Sequence, residues 1–277
     1  MIFIVGEIGI NHNGDIEIAK ELIRVAKSCG CNAVKFQKRD INSVYDENFL
    51  NEERISPFGN TQRDQKEGLE FNEKEYKIID NYCKLIGIDW YASVWDIKSF
   101  LFIKKFNLKY NKICSPMIVD EDLLNYVAND KKYTFISTGM SSEQMIDNAV
   151  DIFKKYDCPF ELLHCVSVYP PNIENINLSK ISTLKSKYRC NVGFSDHCLD
   201  QIYALSSCSL GVSSLEKHIT LDKFMYGSDQ KISLDPSELK SLIDNVRKIE
   251  ISLGNGKLYI DKDEILVMNK LRSHLNN

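Results

Sequence analysis

Two histidines and two lysines, far apart in the chain, are the residues best suited to chemistry. His197 closes the run GFSDHC and His218 closes LEKHIT; period-two alternation puts Ser195 on the face of His197, and Glu216 on the face of His218. Two imidazoles beside open positions suit a divalent cation of intermediate softness such as manganese, cobalt or zinc. The alternative is hydrogen-bonded core histidines, or an acid and a base that act without metal. Lys35 in VKFQ shares a strand face with Gln37, and Lys112 sits among apolar residues in YNKIC. An ammonium pointed into an interior needs an anion. A phosphate or carboxylate substrate would serve, with the hydroxyls of Ser137, Thr138, Ser167 and Ser195 completing the cradle. An internal salt bridge to Glu7 or Glu216 would serve as well, and the residues leave both open. Glu7 itself is a carboxylate within an apolar run, FIVGEIGI, and Asp229 in YGSDQ fits either a sugar-hydroxyl contact or a loop carboxylate without a role.

Elements that could position these groups alternate along the whole chain. FIVGEIGI gives way to IEIAKELIRVAKSCG, where Ile18, Leu22, Val25 and Ala26 form a stripe at helical spacing behind the N-cap Asp15. The same change from strand pattern to helix pattern occurs eight times, ending with SSLEKHIT and PSELKSLIDNVRKIEISLG. Strands separated by helices imply a parallel sheet, and eight units in 277 residues predict a (β/α)8 barrel, a fold of about 250 residues. No Gly-rich linker divides the chain, so a single domain over residues 1–277 is expected, with a short helical tail at about 257–277. In such a barrel the active site lies at the C-terminal strand ends. The polar residues collect there: Glu7, Asn11 and His12; Lys35 and Gln37; Ser93 and Asp96; Lys112 and Ser115; Ser137 and Thr138; His164, Ser167 and Tyr169; Ser195, Asp196 and His197; Glu216 and His218. Asn13-Gly14 marks a tight turn after the first of these strands.

Composition narrows the functional classes. Hydrophobic residues make up 43% and charged residues 27%, the balance of a folded globular chain. A net charge of -4 provides no basic field for nucleic acid. No apolar run approaches the roughly 18 residues of a membrane span, and the N-terminus lacks the basic flank of a signal peptide. The nine cysteines form no CxxC pair and are expected as reduced thiols, which suits a cytoplasmic protein. Dinucleotide and phosphate-loop glycine motifs are absent from the sequence.

The ordered motifs EIGINHNG, VKFQ, ISTGM, LLHCVSVYP, GFSDH and LEKHIT resemble the sialic acid synthase family over about residues 5–229. The resemblance implies a TIM barrel that condenses phosphoenolpyruvate with an amino-sugar aldehyde such as N-acetylmannosamine, releases phosphate and uses a divalent metal, usually manganese. It also implies roles. His197 and His218 would hold the metal, with Glu7 on a water bound to it; Lys35, Lys112, Ser137 and Ser195 would bind phosphoenolpyruvate; Gln37, Ser93, Tyr169 and Asp229 would face the sugar. A homodimer is the family habit.

Three departures bear on the acceptor. Met117 stands where relatives have a glutamate, Ser167 where they have an asparagine, and the chain reads to NKLRSHLNN where relatives continue into an antifreeze-like domain. The polar insert Arg54 to Gly68 is expected to close over the acceptor in place of that domain, through Arg54, Arg63 or Lys66; a solvated surface loop is the alternative. Two other activities fit the same residues: a metal-dependent sugar-acid aldolase, and a catalytically silent sugar-binding barrel.

Overall fold

The eightfold alternation closes on itself. In the computed structural model, which describes residues 1–275, the barrel strands are β1 (Phe3–Gly9), β2 (Ala33–Lys38), β3 (Asp89–Val94), β4 (Tyr110–Ile113), β5 (Tyr133–Ser137), β6 (Phe160–Cys165), β7 (Asn191–Asp196) and β8 (Ser214–His218). Each pairs in parallel with its neighbours in the chain, and β1 pairs with β8 from Phe3↔Ser214 to Glu7↔His218, so the sheet has no free edge.

Helices cover the outside for local reasons the sequence carries. Asp15 caps the helix Ile16–Cys29 by accepting from the backbone of Glu17 and Ile18, and Ala19, Leu22, Ile23 and Ala26 bury its inner stripe. Asp235 and Glu238 form a capping box at the start of Pro236–Ser252, the helix that follows β8.

Inside the barrel the residues form layers. Near the N-terminal ends, Phe3 of β1 lies 5.3 Å from Tyr110 and 6.0 Å from Phe135, and Tyr91 stacks on Phe135 at 5.5 Å between ring centroids. Contacts between strands as far apart as β1 and β5 must cross the interior, so these rings form its floor. The fully buried Tyr91 and Phe135 each stabilise the fold by about 1.5–3 kcal/mol relative to exposure, and Phe3 and Tyr110 are partly buried against them. One or two pleats further along the same strands the interior becomes charged.

The turn after β1 is built from the polar residues of NHNG. Asn11 Nδ2 donates to Ile219 O at 2.9 Å and to Ser233 Oγ at 2.8 Å, fastening the first strand's loop to the last strand's. His12 stacks on Phe71 at 4.1 Å and accepts from Gly14 N through Nδ1. Burial, with Arg39 nearby, pushes its pKa down to about 3 and keeps it neutral. Gly14 has φ +70°, and a Cβ there would stand 2.2 Å from Gly68 O. Asn11 and His12 are structural.

The polar stretch 40–70 is more ordered than a solvated loop. Asp40 and Asp46 cap the short helices Ile41–Val44 and Glu47–Leu50; the strands Glu53–Ser56 and Gly59–Thr61 pair; a Thr61–Asp64 capping box starts Gln62–Gly68. Leu50, Leu69 and Phe71 anchor it by burial. At the other end, the expected helical tail contains the helix Lys262–Leu271 and a turn at Ser273–Leu275, with no side chain buried. Asn276 and Asn277 of that expectation lie outside the described residues. Among the described residues no helix is long and apolar enough to cross a membrane, and all nine cysteines are free.

Candidate active site

At the C-terminal mouth of the barrel a cavity of about 210 Å³ gathers eleven of the twelve site residues expected from sequence. β1 supplies Glu7, β2 Lys35 and Gln37, β3 Ser93, β4 Lys112, β5 Ser137, β7 Ser195 and β8 His218; Ser167, Tyr169 and His197 come from the loops after β6 and β7. Asp229 is the exception. Its Oδ2 lies 3.8 Å from His218 Nδ1, behind the imidazole and outside the cavity lining.

Two ammoniums and two carboxylates form the cavity's base. Lys35 Nζ lies 2.9 Å from Glu7 Oε2 and 3.5 Å from Glu216 Oε1, while Lys112 reaches across the barrel to Glu216 Oε2 at 3.1 Å. Ser195 donates to Glu216 at 3.0 Å, and Gln37 donates to Glu7 at 3.2 Å. Thus the internal salt bridge that the sequence left open does form, and it lies where a bound anion would also meet both lysines. Burial of Glu216 opposes its ionisation, but Lys112 and Lys35 outweigh burial and hold its pKa down to about 2. Glu7 differs: burial, reinforced by Glu216, exceeds the pull of Lys35 and lifts its pKa to about 7. Burial lowers the pKa of Lys112 despite Glu216. One carboxylate is therefore firmly ionised while its neighbour exchanges a proton near neutral pH.

The histidines meet above this base, with ring centroids 5.6 Å apart and Tyr169 packed 4.2 Å from His197. His197 Nδ1 bonds to Val166 O at 2.8 Å, which fixes the proton on Nδ1 and leaves Nε2 a free lone pair. Burial, then the neighbouring His218, drives the pKa of His197 down to about 4, and burial lowers that of His218. His218 Nδ1 is buried without a hydrogen-bond partner. Two neutral, adjacent imidazoles with uncommitted nitrogens fit two positions around a divalent cation. Among the described residues no three metal-ligating side chains converge, so water or substrate would have to fill the remaining positions.

Other strand-end residues serve elsewhere. Asp196 points away from the cavity into a buried ion pair with Lys217 at 2.8 Å. His164 bonds to Ile176 O and, with Thr138, lines a separate, larger cavity beyond Met140, Cys165 and Ser167. Met117 lies in the turn Ser115–Val119, packed against the core and outside the site. Arg63 is held outside by Glu47 and Asn42 at 2.8 Å, and Arg54 and Lys66 do not line the cavity. Conversely, Trp95, Cys114, Met140 and Cys165 line it without having been expected, and Ser115 and Glu216, expected only as polar strand ends, line it as well. Extending the alternation from Ser93 by one more step finds Trp95, and the shared face with His218 finds Glu216. Gly139 lets Ser167 and Ser115 approach, because a Cβ there would stand 2.3 Å and 2.7 Å from their hydroxyls.

Comparison with known proteins agrees with this geometry. Residues 22–258 match the model of the NeuB family. The chain is 34% identical to the N,N'-diacetyllegionaminic acid synthase of Legionella pneumophila over 92% of its own length and 74% of that protein's. It is 36% identical to the N-acetylneuraminate-9-phosphate synthase of Drosophila melanogaster over 91% and 68% of the two lengths. The crystal structure of the N-acetylneuraminic acid synthetase of Leptospira borgpetersenii, in complex with citrate, superposes with a TM-score of 0.86 at 34% identity, covering 98% of this chain and 92% of that one. A barrel that gathers these residues at its mouth, and likeness of this extent, place the chain in the NeuB family.

Proposed function

We propose that the chain joins phosphoenolpyruvate to an aldose, giving a 3-deoxy-2-keto sugar acid and inorganic phosphate. The observation that carries this reading is the convergence of Lys35 and Lys112, each already facing a carboxylate, beside two neutral histidines in one small cavity. Related enzymes are named as synthases of N,N'-diacetyllegionaminic acid, of pseudaminic acid and of N-acetylneuraminate 9-phosphate, which supports a sugar-acid synthase without fixing the acceptor.

Lys35 and Lys112 turn part of their ion pairing toward the carboxylate and phosphate of phosphoenolpyruvate, with Ser115, Ser137 and Ser195 as hydroxyl donors. Gln37, Ser93 and Tyr169 orient the aldose so that its aldehyde carbon faces C3 of the enol. A divalent cation, manganese by preference, held by His197 and His218 would supply Lewis acidity toward the aldehyde oxygen. The new bond joins C3 to the aldehyde carbon, whose oxygen takes a proton. Water adds at C2, and the resulting tetrahedral centre expels phosphate as the ketone forms. Glu7, exchanging its proton near neutral pH, is placed to accept one from that water.

Manganese-loaded protein incubated with phosphoenolpyruvate and a panel of aldoses, including N-acetylmannosamine and arabinose 5-phosphate, tests this directly. Aldose-dependent release of inorganic phosphate is expected. Absence of release with every aldose, or cleavage of a sugar acid without phosphoenolpyruvate, would overturn it.

A further inference from the structure

Of the two imidazoles at the mouth, one has its far nitrogen fixed and the other does not. His197 Nδ1 is held by Val166 O at 2.8 Å, whereas His218 Nδ1 is buried with no hydrogen-bond partner. A neutral imidazole offers a cation one lone pair, and the bond made by its other nitrogen decides which. The group that faces His218 Nδ1 is a carboxylate, with Asp229 Oδ2 at 3.8 Å. That gap is too long for a hydrogen bond and too short for a water to stand in line between the two atoms. A shift of about 1 Å closes it directly.

The loop that carries Asp229 is fastened around it. Asp229 O accepts from Ser233 Oγ at 2.6 Å, and Ser233 Oγ accepts in turn from Asn11 Nδ2 at 2.8 Å. Gln230, fully buried, donates through Nε2 to Asn11 O at 3.3 Å and to Tyr226 O at 3.1 Å. Beyond the turn, Leu234 N donates to His218 O and Thr220 N to Leu234 O, each at 2.9 Å, so the segment returns to the end of β8. Ser228 Oγ donates to Asp229 Oδ1 at 2.7 Å and leaves Oδ2 turned to the ring. Gly227 enters the turn at φ +138°, where a side chain would be strained. Asn11 thus does more than join two loops, since it braces the residue that stands behind His218.

We propose that Asp229 is a positioning residue for the cation site: its carboxylate accepts a hydrogen bond from Nδ1–H of His218 and so commits the Nε2 lone pair to the divalent cation, while Asn11 and Ser233 hold the carboxylate at that post. The inference rests on the cation-binding part of the synthase reading. It replaces the sugar contact that the resemblance implied for Asp229, which lies outside the cavity lining. The two histidines then differ in kind. His197 leans on a neutral carbonyl, and His218 on an anion that makes it the more basic ligand.

Two readouts need no turnover. Nitrogen-15 NMR of metal-free protein reports the His218 tautomer, its signals identified by their loss in His218→Gln, and the paramagnetic resonance of free Mn2+ reports cation affinity without any substrate. In the parent chain the proton is expected on Nδ1. Asp229→Ala should shift it toward Nε2 and weaken Mn2+ binding by about 10–100-fold, and Asp229→Asn, which keeps the shape and loses the charge, should fall between it and the parent. Circular dichroism checks folding, and Asp229→Asn carries the affinity test if Asp229→Ala does not fold. A proton on Nε2 in the parent, an unchanged tautomer in Asp229→Ala, or Mn2+ affinity unmoved in both variants overturns the proposal. So does a raised aldose KM at unchanged cation affinity, which returns Asp229 to the sugar. A parent chain that binds no Mn2+ overturns it outright. Phosphate release separates the two claims. Aldose-dependent release with tautomer and affinity unmoved refutes the positioning role and keeps the synthase. A shifted tautomer and weakened Mn2+ binding, with no release from any aldose by the parent, refute the synthase and keep the role.

Discussion

Phe3 and Glu7 stand on one face of β1, two pleats apart. The first meets Tyr110 and Phe135 across the barrel, and the second meets Lys35 and Gln37. On β3 a step of only two residues leads from Tyr91, stacked on Phe135, to Ser93 in the cavity, and on β4 from Tyr110 to Lys112. The floor gains stability by removing apolar rings from water, although the buried Tyr91 hydroxyl finds no partner there. The layer above holds ions in an interior that penalises them, and offsets that penalty by pairing. One layer is built for stability and the other retains groups a ligand can recruit.

The contrast can be broken by substitution in either layer. Lys112→Met removes a substrate-facing charge, and aldose-dependent phosphate release per folded molecule should fall by about a thousandfold, roughly 4 kcal/mol in barrier. A rate within tenfold of the parent would show that the upper layer is as structural as the floor. Phe135→Ala should do the reverse, lowering unfolding free energy in urea by about 3–5 kcal/mol while changing the rate per folded molecule less than about tenfold.

His12 sharpens the comparison, because it is polar and buried yet belongs to neither layer. Its pKa near 3 lies below the ordinary value of 6.5, so the unfolded chain takes up the proton first. The stability it contributes is complete above pH 6.5 and is lost as pH falls toward 3. From pH 6.5 to 5 this group alone should remove roughly 2 kcal/mol. Denaturant titrations at the two pH values check it, and His12→Asn should show a shallower dependence. The smallest effect is expected for Ser93→Ala, whose hydroxyl makes one long bond to Phe36 O at 3.4 Å. Loss of one hydroxyl contact should raise the acceptor KM by about tenfold or less and leave stability within about 1 kcal/mol.

The barrel was legible because its signals are local. Alternation, caps such as Asp15 and Asp235, and the turn at Asn13-Gly14 act over a few residues, and each marks where it acts. The candidate site was legible as a set of strand ends, since polar residues in apolar runs have few other reasons to be there. Its wiring was not. Glu216 joins Lys35, Lys112 and Ser195 only because β8 lies beside β7 and opposite β4 in a closed sheet, and no spacing along the chain expresses that. Asp196 looks as promising as Ser195 in GFSDHC, yet one pleat turns it outward to Lys217. Asn11 and His12 resembled chemistry and proved to be fastening. Arg39 gave no signal at all, because it lies just past a strand end and its contacts with Trp95 and Glu70 depend on elements that arrive from elsewhere.

The fastening by Asn11 also governs when the molecule can exist. β1 is made before the rest of the barrel, but the strand it must join and the loop that Asn11 grips are made more than two hundred residues later. During synthesis the nascent sheet must wait with one side unzipped, its backbone groups bare to any passing extended chain. Nearly the whole barrel has to emerge before that gap can shut, so translation speed and chaperone supply bear on yield more heavily here than for a fold whose early segments complete one another.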